Sequence, residues 1–203
     1  MNLQKNLAPL LLSLLILTAP TLAFAAKVGE PAPAFSGKDA NGKTITLAQY
    51  QGKYVVLEWH NKDCPYVKAQ YQGGNMQKLQ KEWTGKGVIW LSIDSSAVGK
   101  EGFVDAAGAK ADIKKTGAAP TAMIIDASGA IGHSYDALTT PHMFVIDPKG
   151  TLIYNGAIDS SNSNDKVEVA TAKNYVSQAL TESMAGKPVS LATSKPFGCS
   201  VKY

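Results

Sequence analysis

Arginine is absent: all 20 basic residues of this 203-residue chain are lysine. Any site that needs the flat, two-pronged donor fork of a guanidinium is therefore excluded, and lysine is a poor substitute for it. The lysines are scattered rather than clustered, and the net charge is only +4, so nucleic acid is not expected as a partner. No glycine-rich phosphate loop is present, and no organic cofactor is implied. Three histidines occur, at spacings that match no established ligand set, and no metal ligands are assigned. Internal repeats and a second domain boundary are both missing. Cysteine is nearly absent too, with only Cys64 and Cys199.

Long apolar runs are limited to one, at the N-terminus. Lys5 precedes Leu7 to Leu17, and Ala23-Phe24-Ala25 follows as an A-x-A cleavage site. The run is short for a bilayer span, and the whole reads as a secretory signal over residues 1–25, with an uncleaved anchor as the rival reading. The expected mature chain, 26–203, has one domain's worth of residues and no stable membrane span. The expected location is the periplasm or the exterior.

The most informative stretch is Val55-Val56-Leu57-Glu58-Trp59-His60-Asn61-Lys62-Asp63-Cys64-Pro65. Its apolar start predicts a strand buried on both faces. A polar turn follows, and then a helix that Asp63 caps and Pro65 enters in its first turn. Cys64 would sit at that helix N-terminus, where free N–H groups and the dipole favour thiolate. Lys62 and Lys68 would add positive charge nearby.

Along the rest of the chain, residues 27–35 predict an extended segment over the core, and Asn41-Gly42 a hairpin turn before a strand at 44–47. A helix is expected from Cys64 to Trp83, interrupted at Gly73-Gly74, with Val67, Tyr71, Met76, Leu79 and Trp83 facing the core. Strands are expected at 87–94, 121–126 and 143–147, helices at 102–115 and 131–137, and a hairpin partner at 151–156. One last helix over 167–184 leads to a tail, 186–203, that carries Cys199. The order gives an α/β fold with a central sheet flanked by helices.

Two cysteines in an oxidising compartment invite a disulfide, either a structural staple or a redox-active pair. The placement of Cys64 favours the second.

Three features together resemble the thioredoxin-like superfamily, and within it the exported redoxin or alkyl hydroperoxide reductase/thiol-specific antioxidant branch. They are the strand, turn and Cys64 at a helix start; Thr140-Pro141 before the strand Met143 to Asp147; and the hairpin phrase Phe144 to Tyr154. The resemblance implies a central mixed sheet and a cis-proline at Pro141 facing Cys64. It implies an enzyme in which Cys64 attacks a disulfide, sulfenic acid or peroxide. Because the chain has two cysteines and no other resolver, Cys199 on a flexible tail is expected to be the resolving thiol. Glu58 matches the buried carboxylate of that fold and would move protons with a pKa raised by burial; otherwise it would be salt-bridged to a lysine at the strand end. Thr140 and Pro141 would present backbone to a peptide, with Asn61, Pro65 and His142 also near the substrate. Implied partners are protein thiols and disulfides or small peroxides, plus a reductant.

Several departures matter. Val67 stands where a Cys-x-x-Cys motif has its second cysteine. Leu57 and Asn61 replace the Pro and Thr/Ser of the peroxidase motif, and its arginine is missing. A dedicated peroxidase is disfavoured on that ground but stays an alternative. A non-catalytic binding module, or a copper carrier using Cys64 with His60 or His142, is another.

Overall fold

The computed structural model describes residues 26–203, so the predicted signal segment lies outside the described residues. The elements in chain order are β1 (Ser36–Asp39), β2 (Thr44–Thr46), β3 (Val55–Trp59), α1 (Pro65–Gln72), α2 (Asn75–Gly85) and β4 (Ile89–Asp94). Then come α3 (Ala106–Thr116), β5 (Ala122–Ile125), α4 (Ala130–Tyr135), β6 (Thr139–Thr140), β7 (His142–Ile146), β8 (Leu152–Gly156), α5 (Lys166–Thr171), α6 (Tyr175–Met184) and β9 (Cys199–Ser200).

Seven strands form one mixed sheet in the order β2-β1-β5-β4-β3-β7-β8. The β3–β4 and β4–β5 pairs are parallel, and β3–β7 and β7–β8 are antiparallel. β3 is therefore central and buried along its whole length, which is why it reads as a nearly continuous apolar run. Because strand side chains alternate faces, β3 feeds two cores. Val56 joins Cys64, Val67, Tyr71, Met76, Leu79, Trp83, Met143 and Val145 beneath α1, α2 and α6. Val55, Leu57 and Trp59 join Leu91, Ile93, Tyr135, Phe144 and Ile146 on the other side.

Helix limits follow the polar caps. Gly74, in the left-handed region at φ 76°, separates α1 from α2. Asp105 caps α3 by accepting from Gly108 N–H, so that helix starts later than its composition suggests. The apolar pattern predicts one helix over 167–184, but the chain forms two. Asp165 caps α5, and Asn174 starts α6 by accepting from Ser177 N–H. Local side-chain acceptors stop and restart a helix that apolar periodicity alone would carry through. Among the described residues, no helix is long and apolar enough to cross a membrane.

The tail is not free. β9 pairs antiparallel with β6, matching Thr140 to Cys199. Upstream, Ser194 N–H donates to Asn155 O, and the Ser194 hydroxyl meets both Tyr154 Oη (2.7 Å) and Ala157 N–H (2.9 Å).

Candidate active site

Cys64 lies at the junction of β3 and α1 and is itself the N-cap residue, with Pro65 in the first turn. Asp63 is not the cap. Asn61 organises the turn instead: its Oδ1 accepts from Asp63 N–H (2.8 Å) and Cys64 N–H (3.2 Å), and its Nδ2 donates to Glu101 O (3.2 Å). Asn61 is buried and both ends of its side-chain amide are hydrogen-bonded within the protein, where it builds the cysteine's loop. Lys62 and Lys68 both turn to Asp63, at 2.5 and 4.0 Å, which diverts their charge from the sulfur. Pro65 is exposed at the helix start.

The Cys64 sulfur is buried and lies 3.1 Å from the Thr140 carbonyl oxygen. The Thr140-Pro141 peptide bond is cis. Cys199 Sγ sits 2.7 Å from Cys64 Sγ, and both cysteines are free. Burial pushes the Cys64 thiol up. The Cys199 thiol, the Thr140 side chain and the Val67 N–H outweigh burial and leave its pKa below the ordinary value. Burial and the adjacent Cys64 push Cys199 up to about 12. Cys64 is thus the more readily ionised member of the pair; as a thiol its Sγ donates to Cys199 Sγ. In this arrangement the two sulfurs can be joined by a movement of less than about 1 Å, since a disulfide bond is about 2.05 Å long.

Glu58 faces the same core as Cys64 and has no lysine partner among the described residues. Its carboxylate accepts from Tyr71 Oη, Trp90 Nε1 and Ser92 Oγ, each at 2.8 Å, and from Gln80 Nε2 at 3.1 Å. His60 Nδ1 lies 3.7 Å away, and His60 Nε2 lies 2.9 Å from Asp112 Oδ2. Burial raises the pKa of Glu58, but the hydrogen bonding and charge of His60, with Trp90 and Tyr71, pull it below the ordinary carboxylate value. The raised pKa implied by the resemblance is therefore corrected: a buried acid with this many donors stays ionised. Burial works against the charge on His60, but Asp112 and Glu58 raise its pKa to about 10. Asp112 opens onto a cleft of about 210 Å³ edged by Lys62, Lys68 and Lys115.

A pH signature follows from these two directions. His60, raised from its ordinary value, contributes stability that is complete below about pH 6.5 and fades as the pH rises toward 10. Glu58, lowered, contributes above the ordinary carboxylate range and loses its contribution in acid. The urea midpoint should fall between pH 6 and pH 9.5, and His60→Gln should flatten that alkaline slope. An equally steep slope in the variant would contradict the assignment.

His142 is placed elsewhere. Its Nδ1 accepts from Leu138 N–H (3.2 Å), its Nε2–H donates to Asn155 Oδ1 (2.7 Å), and its ring packs on Phe144 at 4.4 Å. Burial lowers its pKa to about 4. It lies on the face of β7 opposite Met143 and Val145, which share the core of Cys64. Residue alternation therefore turns His142 away from the thiol pair.

A mixed sheet between helices, a cysteine at a helix start, and a cis-proline whose preceding carbonyl meets that sulfur define a thioredoxin-like protein. More narrowly, residues 28–155 match the AhpC/TSA family, and the chain belongs to it. Among its relatives is thiol-disulfide oxidoreductase ResA of Bacillus subtilis (strain 168), 24% identical over 62% of this chain and 64% of the relative, so the match spans less than two thirds of that protein. Peroxiredoxin-2 of Rattus norvegicus is 29% identical over 63% of this chain and 67% of its own. An uncharacterized conserved protein from Geobacillus kaustophilus shares the fold with a TM-score of 0.76 at 22% identity, covering 87% of this chain and 92% of that one.

Proposed function

We propose that this chain is an exported thiol-dependent oxidoreductase in which Cys64 is the nucleophile and Cys199 the resolving thiol. The observation that carries the reading is the pair of unbonded sulfurs 2.7 Å apart at the helix start. The relatives named thiol-disulfide oxidoreductase support the same chemistry. Lys5, the run Leu7 to Leu17 and Ala23-Phe24-Ala25 support export.

The Cys64 thiolate attacks one sulfur of a substrate disulfide. That S–S bond breaks, and the leaving thiolate takes up a proton. Cys64 no longer carries charge in the mixed disulfide, so of the two causes that raise Cys199, burial and the adjacent Cys64, the second disappears. Cys199 loses its proton to solvent and attacks the Cys64 sulfur. The second substrate thiol leaves, and Cys64–Cys199 is the oxidised product. The substrate gains two electrons and two protons; a thiol donor restores the pair by the reverse exchange. Thr140 and Pro141 border the reacting sulfurs and would hold the substrate backbone.

A relative named Peroxiredoxin-2 favours a second reading, reduction of a peroxide. There the Cys64 thiolate takes an oxygen to become a sulfenic acid, the alcohol or water leaves, and Cys199 condenses with it to release water. The absence of arginine and the full engagement of Asn61 weigh against an efficient peroxide site.

The test is equilibration of the full chain in glutathione redox buffers, followed by acid quench, alkylation and mass analysis. One transition losing two hydrogens at Cys64 and Cys199 is expected. Cys64→Ser should reduce turnover of a protein disulfide to the uncatalysed level, and Cys199→Ser should stall at a mixed disulfide. Peroxide turnover outpacing disulfide exchange would select the second reading. A Cys64 unreactive toward both would overturn the first and the second.

A further inference from the structure

Cys64 has no exposed surface; the segment carrying Cys199 lies across it. That segment is a strap fixed at two ends. Ser194 fastens one end to β8 through Asn155, Tyr154 and Ala157. At the other end Cys199–Ser200 pairs with β6, Val201 N–H donates to Leu138 O (3.1 Å), and Ala97 N–H donates to Lys202 O (2.8 Å). Between them, Lys195 to Phe197 contribute no hydrogen bond among the described residues. They border a cleft of about 500 Å³ with Tyr66, Asp159 and Tyr175.

Beyond the paired strand, Tyr203, 37% exposed, lies in a surface slot on α4. Its ring stacks on His133 at 4.0 Å and 24°, and its hydroxyl donates to Ala137 O at 2.8 Å. The slot exists because two positions lack side chains. A Cβ on Gly129 would come within 2.6 Å of the Tyr203 ring, and one on Gly132 would fall on its hydroxyl. Before Tyr203, Val201 packs against the core on that side of the sheet and Lys202 reaches Glu101 at 3.9 Å.

We propose that Tyr203 is a positioning residue whose seat on α4 latches the strap over Cys64 and so sets how effectively Cys199 competes with external thiols for it. The proposal rests on Cys64 and Cys199 acting as the reactive pair. While the latch is seated, Cys199 is held against Cys64 and outside disulfides are shut out. When Tyr203 leaves the slot, the strap swings about Ser194 on the unbonded stretch 195–197, and Cys64 opens to substrate. Holding two reactants in contact range is what raises effective concentration above that of free thiols.

The experiment measures the glutathione equilibrium of the Cys64–Cys199 disulfide, and the rate of Cys64 alkylation by iodoacetamide in the reduced protein, for wild type, Tyr203→Ala and Tyr203→Phe. Tyr203→Ala should lower the effective concentration of Cys199 tenfold or more and speed alkylation by a similar factor. Tyr203→Phe, which keeps the ring and loses the hydrogen bond, should fall between. Gly132→Ala fills the slot from the other side, with a Cβ that also meets Ser95 Oγ at 2.9 Å, and in protein whose urea midpoint shows it folded it should reproduce Tyr203→Ala. Unchanged equilibrium and alkylation in both Tyr203→Ala and Gly132→Ala would overturn the latch. A wild-type pair that never oxidises would instead overturn the underlying reading.

Discussion

Glu58→Leu is expected to destabilise the protein by about 3–5 kcal/mol, the usual cost of removing one partner from a buried charge pair. The leucine fits the volume but removes the acceptor for Tyr71, Trp90, Ser92 and Gln80 together. Each orphaned buried donor costs about 1–3 kcal/mol when no water can reach it. His60 would also lose one of its two carboxylates and remain buried beside Asp112 alone. Glu58→Gln keeps the shape and one acceptor oxygen, so it should cost less. Urea denaturation of both variants at pH 6 measures the difference. A Leu variant within about 1 kcal/mol of wild type would mean that the donors find other partners, because a single ordinary hydrogen bond contributes no more than that.

Gly198→Val should abolish closure of the Cys64–Cys199 pair in a redox buffer that oxidises the wild type completely. Gly198 has φ 127°, a conformation branched residues avoid, and a Cβ there would lie on the Thr140 carbonyl. That carbonyl cannot retreat, since it belongs to the strand pair and to the peptide bond preceding Pro141. The strap must therefore lift at the residue next to Cys199. Phe197 and Cys199 on either side of Gly198 pack against the core that holds Cys64, so the urea midpoint of the reduced protein should fall as well, and the alkylation readout is taken under conditions where the variant is folded. Mass analysis after alkylation reads the closure directly. Wild-type levels of disulfide in the variant would show that the strap reaches Cys64 by another path.

Much of this architecture is legible in the sequence because burial on both faces leaves a clear mark. β3, β4, β7 and β8 stand out as apolar runs, and Val67, Tyr71, Met76, Leu79 and Trp83 are found buried where helical spacing puts them. The break between α5 and α6 is harder to see, since it depends on Asn174 acting as a cap within a sequence whose apolar period continues. The network around Glu58 left weaker signals: Ser92 after three apolar residues of β4, and Gln80 four residues after Met76 on a buried helix face. Both are polar residues at core positions, which burial permits only with a partner. Trp90 gives no sign in the sequence of its role as a donor. His142 reads as a neighbour of the thiol because it follows Pro141, but one step along a strand reverses the face. The Tyr203 slot is invisible locally, because it joins residues about seventy positions apart through two glycines that look like ordinary turn and helix residues.

The separation of Cys64 and Cys199, 135 positions along the chain, has a consequence for the unfolded state. Closing a ring of that size removes chain entropy from the denatured ensemble, worth roughly 5 kcal/mol in the loop-closure account. Oxidation would then make the fold sturdier, and by the same thermodynamic cycle the fold holds the bond more tightly than an unfolded chain could. A reductant acting on the native protein works against that added stability, whereas one that meets a partly unfolded chain does not. Redox state and resistance to unfolding would then be one linked equilibrium, joined through two sulfurs far apart in the sequence.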